Sequence, residues 1–217
     1  MVDQRSGLVV IEMSMSLDGY VAGPEDNSAH RLGKRGGERV FDWYTTGTEN
    51  YPKGSFFKAE GPNRRVVDEM FARFGAFVSG RRTYNLAGGW NGRHPCNGVP
   101  VFILTHVPDP DPPKGESAMV FVTDGIESAV KQALAAAGGK DVCLLGASPG
   151  QQALEAGLVD ELFIHVAPLL LGAGVRLFDK LGERAIELEA LETLGAPKAS
   201  HLRYRVLRGS SSSSQND

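Results

Sequence analysis

An α/β architecture, with a mostly parallel mixed sheet and an antiparallel C-terminal edge, follows from three features of this sequence. Short apolar runs recur along the chain, helix-period segments separate several of them, and the last run alternates apolar with basic residues. Strands buried on both faces of a parallel sheet are continuously apolar, whereas a strand with one wet face alternates.

The apolar runs place strands at residues 8–13, 76–79, 99–104, 118–122, 142–145, 161–167 and 202–207. The spacing of Val66, Val67, Met70 and Phe71 predicts a helix over 63–74. A second helix is expected over 126–137, opened by Asp124 as a cap, and a third over 149–156, with Pro149 in its first position and Gly157 ending it. In the last strand, Leu202-Arg203-Tyr204-Arg205-Val206-Leu207 reads as the antiparallel edge. Residues 24–62 are polar and glycine-rich around a short aromatic cluster, Phe41-Asp42-Trp43-Tyr44, and read as a long functional excursion with one helical turn. The proline-rich Asp109-Pro110-Asp111-Pro112-Pro113 is a stiff connector that excludes helix and central strand.

Composition narrows the partners. With 23 Lys plus Arg against 26 Asp plus Glu, a net charge of -3 and a pI near 6.0, the chain carries no footprint for nucleic acid. Cys96 and Cys143 form no CxxC pair, so they read as reduced thiols of a cytoplasmic protein. Glu12 interrupts the first apolar run too early for a signal peptide, and residues 166–175 are too short to cross a bilayer, so no membrane partner is expected. A hydrophobic content of 41% supports one domain over residues 1–208, with the serine-rich 209–217 as a disordered tail.

The chemistry concentrates at strand ends. Phe77-Val78-Ser79 runs into Gly80-Arg81-Arg82-Thr83, a glycine followed by two guanidinium groups and a hydroxyl, donors suited to a phosphate dianion. An added phosphate of this kind favours NADP over NAD. The run 101–104 ends in Thr105-His106, and 142–145 ends in Gly146-Ala147-Ser148 before a helix whose free N–H groups attract a pyrophosphate. Leu17-Asp18-Gly19-Tyr20 follows the first strand. Asp18-Gly19 is a hairpin-turn signal, and a carboxylate there could also orient substrate or relay a proton. Trp43 and Trp90, in polar or glycine-rich surroundings, are candidates for an aromatic wall around a flat substrate or for core packing. Gly172-Ala173-Gly174 lacks the third glycine of a dinucleotide fingerprint, no P-loop is present, and His94-Pro95-Cys96 offers too few ligands for a metal. His165 reads as a packed residue of its strand.

In order, Ser16-Leu17-Asp18-Gly19-Tyr20-Val21-Ala22-Gly23, Gly80-Arg81-Arg82-Thr83-Tyr84, Leu104-Thr105-His106, Leu145-Gly146-Ala147, Leu158-Val159-Asp160-Glu161-Leu162 and Pro168-Leu169-Leu170-Leu171-Gly172-Ala173-Gly174 resemble the bacterial dihydrofolate-reductase-like family that includes the reductase domain of riboflavin biosynthesis. The resemblance covers about residues 7–207. It implies a single three-layer α/β/α domain with a mixed sheet, NADPH as hydride donor and, as in many members, a homodimer; the residues themselves are read as a reductase site for a small planar substrate. It assigns the adenosine phosphate to Gly80, Arg81, Arg82, Thr83, Thr105 and His106, and the pyrophosphate to Gly146, Ala147 and Ser148. It puts the nicotinamide beside the Leu17-Asp18-Gly19 turn. Leu17, Gly19 and Tyr20 are the substrate-side candidates there, and Asp18, directly or through a water that it orders, is the candidate catalytic residue. Gly146-Ala147 replaces the family's paired glycines, and the 24–62 excursion is longer than in the riboflavin reductases. The deaminase motif pairing His-x-Glu with Pro-Cys-x-x-Cys is absent. A nucleotide-binding or sensory module without turnover, and a flavin-using oxidoreductase, are the alternatives.

Overall fold

A computed structural model of the chain describes residues 7–52, 55–179, 181–182 and 185–208. The tail expected at 209–217 lies outside the described residues. In chain order the elements are β1 (Val9–Ser16), β2 (Tyr20–Ala22), α1 (Pro62–Arg73), β3 (Phe74–Gly80), α2 (Arg81–Leu86), β4 (Val101–Leu104) and β5 (Met119–Val122). They continue with α3 (Ile126–Ala136), β6 (Asp141–Leu145), α4 (Ala147–Glu155), β7 (Glu161–Ala167), β8 (Val175–Arg176), β9 (Leu188–Ala196) and β10 (Ala199–Val206).

Eight strands form one sheet in the order β5-β4-β3-β6-β1-β7-β10-β9. All neighbours from β5 to β7 run parallel, and β7, β10 and β9 are antiparallel. The fold is therefore α/β with the expected antiparallel edge, although β9 rather than the last strand lies outermost. Its sequence, Leu188-Glu189-Ala190-Leu191-Glu192, is rich in helix formers, and pairing with β10 overrides that preference.

Period-two alternation in β1 feeds two cores. Val9, Ile11 and Met13 pack with α3 and α4 on one face of the sheet, while Val10 joins Phe74, Phe77, Cys143 and α1 on the other. Helices thus cover both faces. Two predicted helix starts are corrected. Gly125, not Asp124, caps α3 and no side chain bonds there, and α4 begins at Ala147, making Pro149 its third residue, still within the turn that tolerates a missing N–H. Gly157, at φ +66, ends α4 with its N–H on the Leu154 carbonyl. The expected turn in the 24–62 excursion is the 3₁₀ helix Gly37–Thr45.

Candidate active site

Because β4, β3 and β6 are adjacent and parallel, their carboxyl ends open side by side. A cleft of about 1180 Å³ lies there, lined by all nine residues nominated for the cofactor: Gly80, Arg81, Arg82, Thr83, Thr105, His106, Gly146, Ala147 and Ser148. Crevices outside strand carboxyl ends are where open α/β sheets hold ligands. The first-turn N–H groups of α4 receive no side-chain cap and belong to the stretch that faces the cleft. Gly146 adopts φ +105, and an added Cβ would stand 2.8 Å from Thr83 Oγ1, so glycine is what lets the β6–α4 turn close onto α2. Gly80 serves packing: its missing Cβ would sit 3.3 Å from Pro149 Cδ, admitting the first turn of α4.

Neither arginine is idle. Arg82 Nε donates to Asp26 Oδ2 at 2.6 Å, and this pairing raises the guanidinium pKa. Arg81 Nε donates to Asn85 Oδ1 at 2.9 Å, and its Nη1 donates to the Val107 carbonyl, tying the β3 loop to the β4 loop. Thr105 Oγ1 is engaged within its own turn, accepting the Val107 N–H at 3.2 Å.

The second-ligand side differs from expectation. Leu17, Asp18, Gly19 and Tyr20 do not line the cleft; Met13, Val21 and Ala22 do. Desolvation acts upward on the Asp18 carboxyl, but bonds from the Ser16 hydroxyl and the Gly172 and Leu171 N–H groups outweigh it and hold its pKa below the ordinary value. Asp18 is thus an anion that fastens its turn, placed outside the lining of the cleft. Leu17 is solvent-exposed, and Gly19, at φ +88, makes the turn. Tyr20 is buried in a cluster with Val40, Ala167 and Leu171, its ring 4.7 Å from the Arg176 guanidinium.

Trp43 is completely buried and donates from Nε1 to Ser14 Oγ at 2.9 Å, packed against His165 and His201. It is core, not wall. A 3₁₀ helix aligns residues three apart, so Phe41 and Tyr44 share one face, which lines the cleft, while Trp43 points from the neighbouring face into the core. Trp90 does reach the cleft, held at φ +50 between Tyr84 and His94.

Behind this wall lies an inner chamber of about 150 Å³, which shares Met13, Phe41, Tyr44, Phe56, Trp90 and Leu145 with the cleft. Glu12 and His165 also line it. Burial pushes the Glu12 carboxyl up to about 8, and burial holds His94 and His165 down at about 3, so both rings are neutral. In the sequence Glu12 is no more than a break in the first apolar run. A charged residue within a strand buried on both faces was the available signal.

No group of three His, Cys, Asp or Glu side chains among the described residues could hold a metal ion. No described helix is long and apolar enough to cross a membrane.

A dinucleotide-sized cleft at adjacent parallel strand ends, under a sheet with an antiparallel flank, is the layout of the dihydrofolate-reductase fold. The chain is similar to dihydrofolate reductase from Enterococcus faecalis complexed with NADP(H), with TM-score 0.52 and 13% identity over 93% of this chain and 97% of that one. Greater similarity is found to a candidate riboflavin biosynthesis protein from Shewanella sp. PV-4, TM-score 0.67 and 22% identity over 93% and 99%. A pyrimidine reductase-like protein from Corynebacterium diphtheriae gives TM-score 0.57 and 15% identity over 94% of each chain. Residues 8–198 match the model of the RibD C-terminal domain, and the chain belongs to that family. No curated protein sequence matches it.

Proposed function

We propose that this protein is an NADPH-dependent reductase that delivers a hydride to a small planar substrate of the pterin, aminopyrimidine or carbonyl class. The observation that supports this reading most is the convergence of nine residues, from three strand ends, on one cleft. The donor set fits a phosphorylated dinucleotide. Arg81 and Arg82 would meet the 2′-phosphate, Thr105 and His106 the adenosine end, and the Ala147 and Ser148 N–H groups the pyrophosphate. When bound, the nicotinamide supplies the hydride. The chain's own part is positional: Phe41, Tyr44 and Trp90 form an aromatic wall that orients a flat ring and excludes water.

Fluorescence titration with NADPH and NADH tests the assignment. Replacing Arg81 or Arg82 by Ala weakens NADPH by about tenfold or more, the effect of losing a charge-assisted hydrogen bond, while NADH changes little. Equal losses for both cofactors would show that no 2′-phosphate sits there. A screen of pterin, aminopyrimidine and quinone compounds for NADPH oxidation then tests turnover; binding without oxidation by any of them points to the nucleotide-binding module instead.

A further inference from the structure

Where β1 and β6 part, a sulfur atom takes over from the backbone. The two strands pair in parallel from Val9 with Val142 to Ile11 with Leu144, and the pairing goes no further. The Val142 N–H points at β1, donating to the Leu8 carbonyl at 2.8 Å. Strand groups alternate with period two, so the Gly146 N–H, four residues on, points at β1 as well. It is buried, and the ladder that would have supplied a carbonyl has ended. Met13 meets it instead: the thioether Sδ accepts the Gly146 N–H at 3.2 Å.

This bond fixes the point at which the chain leaves the sheet. Leu145 is still paired with Ser79 of β3, so the end of β6 is anchored on one side by the ladder and on the other by Met13. Gly146 then turns the chain into α4 with φ +105 and ψ 154, a conformation that glycine alone adopts readily and that no side chain holds in place. The first turn of α4 rests on β1, where a Cβ added to Gly150 would stand 3.2 Å from Ile11 Cδ1. Of the donors in the turn, the Gly146 N–H is engaged and Pro149 has none, which leaves Ala147 and Ser148 to present theirs toward the cleft.

We propose that Met13 is a positioning residue for the diphosphate of the bound nucleotide: by holding the Gly146 N–H, its sulfur sets the direction of the Ala147 and Ser148 N–H groups that receive the anion. The role rests on the reductase reading for the identity of the nucleotide, while the sulfur bond is present without any ligand.

A thioether suits this place. It accepts a hydrogen bond but has no donor of its own to compete with the Ala147 and Ser148 N–H groups, and it brings no charge to repel a diphosphate. Its methylene arm belongs to the same core cluster as Ile11 and Leu144, so the sulfur is held at the floor of the cleft by packing on either side. Met13 therefore has two separable parts, an apolar arm that fills the core and a sulfur that directs the turn.

The test separates those parts with two variants and measures binding of NADPH, NADH, ADP and adenosine 2′-phosphate by NMR titration of the full chain. Met13→Leu keeps the apolar bulk and removes the acceptor. It weakens NADPH, NADH and ADP alike by about threefold to tenfold, the effect of one hydrogen bond, and leaves adenosine 2′-phosphate, which has no diphosphate, unchanged. In the free protein the same variant speeds hydrogen exchange of the Gly146 amide. Met13→Gln, which offers a carbonyl in place of the sulfur, recovers both the diphosphate affinity and the slow exchange. Unchanged diphosphate binding in the Leu variant, an equal loss for adenosine 2′-phosphate, unchanged Gly146 exchange, or no recovery in the Gln variant would overturn the proposal. The nucleotides also keep the two readings apart. Binding of ADP that depends on Met13, with no binding of NADPH or NADH, sinks the reductase reading alone; NADPH binding that ignores Met13 sinks the positioning role alone; and a wild-type protein that binds none of the four sinks both.

Discussion

Asp26 and Arg82 illustrate how one side chain tempers another. Arg82 is largely exposed, with Asp26 as its ion-pair partner at the mouth of the cleft, where a phosphate would compete for the same guanidinium. Exposed pairs are worth little, so the competition is mild. Asp26→Asn should tighten NADPH by about two- to fivefold while leaving NADH unchanged, and a cofactor titration checks it. A weaker NADPH affinity in this variant would mean that Asp26 holds Arg82 in its binding pose. Asp18 shows the opposite case. Its carboxylate is spent on three donors from Ser16, Leu171 and Gly172.

Between α2 and β4 the chain makes a short 3₁₀ turn, Gly88–Gly92, in which Gly89, Trp90 and Asn91 all have left-handed backbone. For Trp90 that conformation costs about 1–2 kcal/mol, and it aims the indole at the boundary between cleft and inner chamber. Gly89 makes the turn possible: an added Cβ would lie 2.7 Å from Pro113 Cγ and 3.0 Å from the Tyr84 ring. The proline ring cannot swing away. Gly89→Ala should therefore cost about 1–3 kcal/mol of stability and release Trp90, seen as a lower denaturation midpoint together with altered tryptophan emission. An unchanged midpoint would show that the 109–113 connector moves freely.

The buried titratable groups together shape stability against pH. Glu12 keeps its proton to about 8 in the folded state, whereas an unfolded glutamate releases it near 4.5, so between those values the folded protein binds the extra proton and stability falls as pH rises. His94, His165 and His201 are held at about 3 against 6.5 unfolded, so below 6.5 the unfolded chain binds three protons that the folded one refuses, and stability falls as pH drops. At about 1.4 kcal/mol per group and pH unit, the three histidines outweigh the one acid below 6.5, and Glu12 governs from there to 8. Melting temperatures measured from pH 5 to 8 should peak near 6.5, with Glu12→Gln flattening the alkaline side and steepening the acid side. A wild-type curve that rises to pH 8 would contradict the neutral Glu12.

Much of this molecule is local in origin. Continuous apolar runs such as Val101-Phe102-Ile103-Leu104 announce strands buried on both faces, helix-period stretches between them dictate parallel pairing, and the glycine-arginine and glycine-alanine strand ends come together on one side of the cleft. Those signals survive without tertiary context because they depend on backbone periodicity and on residue chemistry. The second-ligand side obeys distant partners. Asp18 is tied to Leu171 across 153 positions, Trp43 is drawn into the core by Ser14 and two histidines, and β9 becomes a strand only beside β10. The Glu12 carboxyl is linked through His165 and His201 to Asn63, three residues from three separate elements. Periodicity reports which face of an element is buried; only folding decides which charges are desolvated together, and desolvation sets the chemistry of this site.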